Sequence, residues 1–148
     1  MATATIQRAS SRSEWSPARI YLVVSGVLLL FIAIAGFTIN RAFPTGAGEV
    51  SSAGTAHLFG VLETNGWHNL AGLLSAIVAL GFALRAQWAR TGALLKGVFY
   101  VGVTASVAIW GPHTFWIAAN TPDQFLHGAL GVGGLLTGFW TTSETGAP

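Results

Sequence analysis

Four long runs of apolar residues, almost free of charged side chains, constrain this chain more than any other feature. They cover residues 20–39, 67–84, 94–110 and 124–140. A helix needs about 17–25 apolar residues to cross a bilayer, and each run reaches that length. Backbone polar groups inside a bilayer must bond within their own segment, so the runs are predicted to be helices. The sequence therefore predicts an all-α membrane protein with four transmembrane helices.

Composition and charge support this class and exclude others. Only 8% of the 148 residues are charged, whereas soluble domains carry about 25%. The chain has no basic cluster with interleaved aromatic residues, so no nucleic-acid partner is predicted. It has no cysteine, which excludes disulfides, thiolate metal sites and cysteine catalysis. The predicted partners are the lipid bilayer and other membrane proteins, in a homo-oligomer or a larger complex.

The basic residues predict the orientation of the spans. Cytoplasmic loops carry an excess of lysine and arginine, and only Arg41 lies on the opposite side of the predicted spans from the other basic residues. We therefore expect a multi-pass protein of the bacterial inner membrane, with both termini in the cytoplasm. The residues that mark the cytoplasmic side are Arg8, Arg12, Arg19, Arg85, Arg90 and Lys96.

The membrane domain is predicted to cover residues 19–140. Residues 1–18 are expected to be a disordered cytoplasmic N-terminus and residues 141–148 a cytoplasmic tail. Arginines before an apolar run with small residues would also fit a cleaved signal peptide. Because the run continues to Ile39, which is long for a signal, we favour a retained anchor. The apolar segment 56–62 is expected to lie on the membrane surface or to plug the end of the bundle.

The second and fourth runs carry the same pattern of small residues, which predicts an internal repeat. A shift of 55 residues superimposes Asn65 on Asn120 and His68 on Asp123. At about 100° per residue, the small residues that follow lie on one face of each helix. Such faces allow membrane helices to approach closely. The small residues are Gly72, Ala76, Ala79 and Ala83 in the second run, and Gly131, Gly134 and Gly138 in the fourth.

These small faces predict how the helices are arranged. We expect the second and fourth helices to contact each other along them, with Gly131 and Gly134 near residues 72–79, although a second copy of the chain could also provide the contact. The bundle would then consist of two similar helical hairpins, related as a parallel pseudo-repeat. The starts of the two helices carry capping residues, for which the candidates are Asn65, Asn120 and Thr121.

A small polar cluster is predicted where the second and fourth helices begin. Its members are His68, Asn69, Asp123 and His127. His127 follows Asp123 at a spacing that brings side chains together on a helix. We therefore expect an Asp123–His127 pair with His68 opposite, because ionisable groups in spans usually face a partner inside the bundle.

This cluster has one structural interpretation and three functional ones. Its residues can simply cap helices and hydrogen-bond between them, which is the simplest interpretation. Alternatively, they could bind a divalent metal, hold a haem between two histidines, or relay protons or bind a small polar ligand. No cofactor is predicted outright, and the identity of any metal stays open. His57 and His113 lie in loops and are expected to be exposed.

Two function classes follow from these patterns. No hydrolase triad, phosphate-binding loop or dinucleotide fingerprint is present, so the chain is not predicted to be an enzyme. The first class is a non-enzymatic structural or accessory membrane subunit, which the small-residue faces favour. The alternative is a protein that binds a ligand, metal or haem, or provides a proton or solute pathway, through the polar cluster.

The two polar motifs resemble those of a bacterial membrane family known as domain of unknown function 4383. The matching residues are Asn65, His68 and Asn69 in the first motif and Asn120, Asp123, Leu126 and His127 in the second. The resemblance covers roughly residues 20–140 and implies a four-span protein without an assigned activity. Where members usually have a further histidine, this chain has Gly72, which weakens a metal or haem site.

Overall fold

The structure is a computed structural model that describes residues 15–46, 56–112 and 114–141. Within these ranges it contains four helices: α1 (Pro17–Ile39), α2 (Gly66–Ala83), α3 (Ala86–Trp110) and α4 (Thr121–Trp140). The strands β1 (Ala56–Leu58) and β2 (Leu62–Thr64) form an antiparallel hairpin between α1 and α2. A short 3-10 turn, Thr114–Trp116, precedes α4. The residues expected to be disordered at the two termini lie largely outside the described ranges.

The predicted all-α fold is confirmed, with three helices of membrane-spanning character. Helices α1, α2 and α3 are each long and apolar enough to cross a bilayer. Helix α4 is not among them, since Asp123, Gln124 and His127 in its first two turns and its many glycines lower its mean hydropathy. The apolar segment 56–62 forms most of the β hairpin at one end of the bundle. We call this the hairpin end, and the end near Trp15 and Thr141 the terminal end.

Helix α3 differs most from its predicted bounds. It begins at Ala86, directly after Leu84 and Arg85, and not near residue 94. Arg90 therefore lies within the helix, and Lys96, near the start of the predicted run, is buried with only 8% of its surface exposed. The predicted start of this span at residue 94 was wrong because charged side chains interrupt an apolar run without interrupting backbone hydrogen bonding.

The small residues pack inside each helical hairpin, which corrects the predicted contact between the second and fourth helices. Helix α1 packs on α2, and α3 packs on α4, whereas α2 and α4 share little contact. A Cβ atom on Gly134 would lie 2.7 Å from the Ala93 carbonyl oxygen and 2.8 Å from the Gly97 Cα. The small face of α4 is therefore filled by α3. The prediction overlooked Gly97 as the complementary small residue on the preceding helix.

Two apolar clusters form the core of the bundle. Near the terminal end, alanines dominate the contact between α1, α2 and α3, with Leu22 among them. Nearer the hairpin end, Leu29, Ala76, Tyr100 and Leu130 bring all four helices together. The terminal half of the bundle is thus closed by small apolar side chains, whereas polar residues collect in the other half.

Candidate functional site

A partly open cavity lies at the hairpin end, between the four helices and the β hairpin. Its volume is about 70 Å³. That is roughly half the volume of an engineered cavity of about 150 Å³ that binds benzene, so it can hold several water molecules or a ligand of a few heavy atoms. We call it the hairpin chamber. Its polar lining consists of Glu63, Thr64, His68, Asn69, Tyr100, Asp123 and His127.

All four residues of the predicted polar cluster line this chamber. His68 and Asn69 come from the first turn of α2, and Asp123 and His127 from the first two turns of α4. The sequence thus identified residues that the fold brings together. His57 is exposed on β1, as expected, and His113 lies outside the described residues.

Asparagine side chains hold the β hairpin over the chamber. Asn40 Nδ2 donates to the Thr64 carbonyl oxygen at 3.0 Å, and Asn120 Nδ2 donates to the Val61 carbonyl oxygen at 2.7 Å. Asn69 Nδ2 donates to the Asn40 carbonyl oxygen at 2.9 Å, and the Thr64 hydroxyl donates to Asn69 Oδ1. The hairpin is therefore attached to the starts of both α2 and α4 and to the end of α1.

The helix caps position the polar side chains at the chamber. Asn65 Oδ1 accepts from the His68 backbone N–H at 2.9 Å. Asn120 and Asp123 form a reciprocal capping box, in which each side chain accepts from the backbone N–H of the other. Both predicted asparagine caps are present. Thr121 is instead the first residue of α4, because Asn120 has the three-residue spacing to Asp123 that the box requires.

Asp123 accepts hydrogen bonds from two backbone N–H groups and does not pair with His127 as predicted. Only 1% of Asp123 is exposed. Its Oδ2 atom accepts from the backbone N–H of Asn120 at 2.8 Å and from that of Glu63 at 3.0 Å. The carboxylate therefore points back over the start of α4, away from the next turn, where His127 lies. Its electrostatic partners are His68, which attracts it, and Glu63, which repels it.

The two histidines face each other across the chamber with different partners. The ring of His68 lies 5.7 Å from that of His127. Nδ1 of His68 lies 2.9 Å from the Glu63 carbonyl oxygen, so this nitrogen carries the hydrogen and donates it. Nδ1 of His127 is buried and has no hydrogen-bond partner. A buried polar atom without a partner costs free energy, so a ligand or water in the chamber would stabilise it.

Polar residues that the sequence did not predict as part of the site continue from the chamber into the bundle. They are Tyr100, Ser75 and Lys96. The Tyr100 ring lies 5.4 Å from that of His127, and its hydroxyl donates to Ser75 Oγ at 3.0 Å. Tyr100 follows Lys96 by four residues, and the Lys96 Nζ atom lies 5.6 Å from the Tyr100 ring centre. The helical spacing of Lys96 and Tyr100 is the signal that could have predicted this extension.

Metal binding receives no direct support from the geometry. Among residues 15–46, 56–112 and 114–141, no three His, Asp or Glu side chains are arranged to hold a metal ion. The metal and haem alternatives stay predictions.

Comparison with known protein families matches residues 12–140 to the family described as Domain of unknown function (DUF4383). The chain belongs to this family. The resemblance expected from the two polar motifs is therefore confirmed, and in this DUF4383 member the motifs supply the helix caps and much of the polar lining of the chamber. Searches of curated proteins and of solved structures each found no match.

Proposed function

We propose that this DUF4383 protein is a four-span protein of the bacterial inner membrane, built from two similar hairpins. The support is a contact that occurs twice. A Cβ atom on Gly26 would meet the Leu80 side chain and the Ala76 carbonyl oxygen. One on Gly97 would meet Leu135 and the Gly131 carbonyl oxygen. A shift of 55 residues converts Ala76 and Leu80 into Gly131 and Leu135, so the packing of α1 on α2 corresponds to that of α3 on α4.

The proposed orientation places the hairpin end outside and both termini in the cytoplasm. The chain contains no cysteine, so single cysteines report their side of the membrane without background. In intact cells, a membrane-impermeant maleimide is expected to label H57C, in the β hairpin. The same reagent should label L84C, between α2 and α3, only after the membrane is permeabilised. Labelling of L84C in intact cells would reverse the orientation.

For the molecular function, we propose that the hairpin chamber binds a small amine cation of the size of ammonium or methylammonium. The observation that carries the proposal is the buried, unpaired Nδ1 of His127, a residue that lines this cavity. As a neutral imidazole, His127 can accept a hydrogen bond through this nitrogen, and an ammonium group has N–H bonds to donate.

Charge around the chamber favours a cation over an anion. Glu63 and Asp123 both line the chamber and interact electrostatically with each other. Two nearby carboxylates repel, and a cation beside the buried Asp123 carboxylate lowers that repulsion. The volume of about 70 Å³ limits the ligand to a few heavy atoms.

Binding is favoured over conduction because only isolated polar residues continue through the bundle. Beyond Ser75, the terminal half is closed by Ala79, Ala83 and the alanines that pack against them. The few buried polar side chains there, such as Ser25, cannot replace the water around a hydrated ion. The chamber is therefore a pocket with one polar end, which suits a binding or sensing protein.

Thermal unfolding in lipid nanodiscs tests this proposal. A ligand that binds only the folded protein stabilises it, by about 2.7 kcal/mol at a concentration 100 times its Kd. Methylammonium chloride is expected to raise the melting temperature above its value in sodium chloride of equal ionic strength. The H127F variant should lose this difference, because phenylalanine fills the position without a nitrogen.

The matched control is H57A, which removes a histidine outside the chamber and should keep the full response. An equal response of H127F and the parent protein would contradict the proposal. A response to Zn²⁺ and none to methylammonium would replace it with the metal alternative.

The structural or accessory role is the second candidate. It remains compatible with the broad apolar surface of the helices, on which large side chains such as Phe31, Leu136 and Phe139 are exposed. The small faces of α2 and α4 no longer favour it, because neighbouring helices of the same chain cover them. A protein partner would dock on the larger apolar side chains.

A further inference from the structure

A groove on the surface of the bundle, where α2 meets α3, contains the only lysine of the chain. The groove has a volume of about 360 Å³, within the range of about 300–1,000 Å³ typical of small-molecule sites. Leu74, Val78 and Phe99 line it and are 54%, 56% and 55% exposed. Ser75 and Lys96 provide its polar lining. The groove is therefore an apolar surface feature with two polar groups on its inner side.

The amine of Lys96 lacks a hydrogen-bond partner. Only 8% of the residue is exposed, and Nζ is buried without a hydrogen bond. Its contact with the Tyr100 ring, at 5.6 Å, uses the charge of the amine but none of its N–H bonds. Ser75 Oγ already accepts from the Tyr100 hydroxyl, which leaves the serine hydrogen for another partner. Two donors thus line the same groove, where an acceptor would stabilise them.

The depth of these donors restricts the class of acceptor. Lys96 is the eleventh of the 25 residues of α3, about 15 Å from its start at 1.5 Å per residue. Ser75 is the tenth of the 18 residues of α2. In a hydrocarbon core about 30 Å thick, both lie near the middle. Phosphate and carboxylate head groups remain at the interfaces, because charge in the hydrocarbon is costly.

We propose that this groove binds the head group of a lipid-soluble quinone, with Lys96 and Ser75 donating to one of its carbonyl oxygens. A quinone is neutral, so its ring can enter the middle of a bilayer. It also offers the acceptor atoms that the two donors lack. Leu74, Val78 and Phe99 would contact the ring and the start of its apolar tail. This site adjoins the hairpin chamber, with which it shares Ala71 and Phe99 in its lining, but it does not depend on the function proposed for the chamber.

The single lysine provides a direct test. Protein with ¹³C-labelled lysine, in nanodiscs, gives one lysine side-chain NMR signal. Titration with decylubiquinone is expected to shift that signal to saturation. In parallel, K96M and S75A should each weaken decylubiquinone binding about tenfold in calorimetry, as expected for one lost hydrogen bond. The control V98A removes apolar surface from α3, outside the groove lining, and should bind like the parent protein.

Three results would overturn the proposal. The first is a lysine signal that does not saturate. The second is equal binding by the parent protein, K96M and S75A, which would indicate simple partition into the lipid. The third is a saturable shift with dodecanoate and none with decylubiquinone, which would assign the groove to an anionic lipid.

Discussion

Replacing Gly134 with alanine is expected to destabilise the bundle more than any other single methyl group added to α4. The new Cβ atom would lie 2.7–2.8 Å from the Ala93 carbonyl oxygen and from the Gly97 backbone. Backbone atoms of a packed helix cannot move aside as a flexible side chain can. Overpacking of this kind costs about 1–3 kcal/mol, and a larger residue such as leucine would separate α3 from α4.

Gly128 offers a matched control on the same helix. A Cβ atom there would meet no atom within 4 Å, so the same substitution adds helix propensity without a clash. G128A should leave stability unchanged or raise it by up to about 1 kcal/mol. Unfolding of both variants in mixed micelles of detergent and SDS measures the difference. Similar stabilities for G134A and G128A would contradict the observed packing of α4 on α3.

Substituting Asp123 with alanine is expected to release the β hairpin from the bundle. The carboxylate accepts from the backbone N–H groups of Asn120 and Glu63, and alanine leaves both without a partner. Each buried N–H group left unpaired costs about 1–3 kcal/mol. The substitution also removes half of the capping box. We expect a lower melting temperature and faster hydrogen exchange at Glu63 and across Ala56–Thr64.

The D123N variant separates hydrogen bonding from charge. Its amide oxygen can still accept from both N–H groups, so hairpin exchange should remain close to that of the parent protein. The loss of the negative charge should still weaken binding of methylammonium in the hairpin chamber. If D123A exchanged its hairpin amides no faster than D123N, the carboxylate would not be the group that holds the hairpin.

The candidate site was largely predictable because its residues begin two helices. Asn65 and Asn120 are of the residue type preferred at helix N-caps, and His68 and Asp123 come three residues later, in the first turn of each helix. When two helices start at the same end of a bundle, the residues of their first turns lie at a similar depth. The partner of each side chain was not predictable. His127 lies one helical turn after Asp123, yet the Asp123 carboxylate accepts a hydrogen bond from the backbone N–H of Glu63 in the β hairpin.

Lys96 is another residue whose surroundings could not be predicted from the sequence. A lysine close to two arginines indicates a cytoplasmic connection by composition alone. In the structure Lys96 instead lies inside the bundle beside Tyr100, and α3 begins at Ala86. Helix bounds depend on backbone hydrogen bonds, which any residue other than proline can form. Hydropathy therefore locates a span more reliably than it locates the ends of that span.

The sequence alone determined the all-α fold, the family and the residues of the polar cluster. These follow from local properties: apolar length, helix capping and spacing along one helix. The tertiary structure decided which faces meet, because Gly131 and Gly134 could pack against any complementary small surface. It was the position of Gly97 on the preceding helix that selected α3. The chamber likewise exists only because the β hairpin, which precedes α2 in the chain, also lies against the start of α4 and brings His68 and His127 into one cavity.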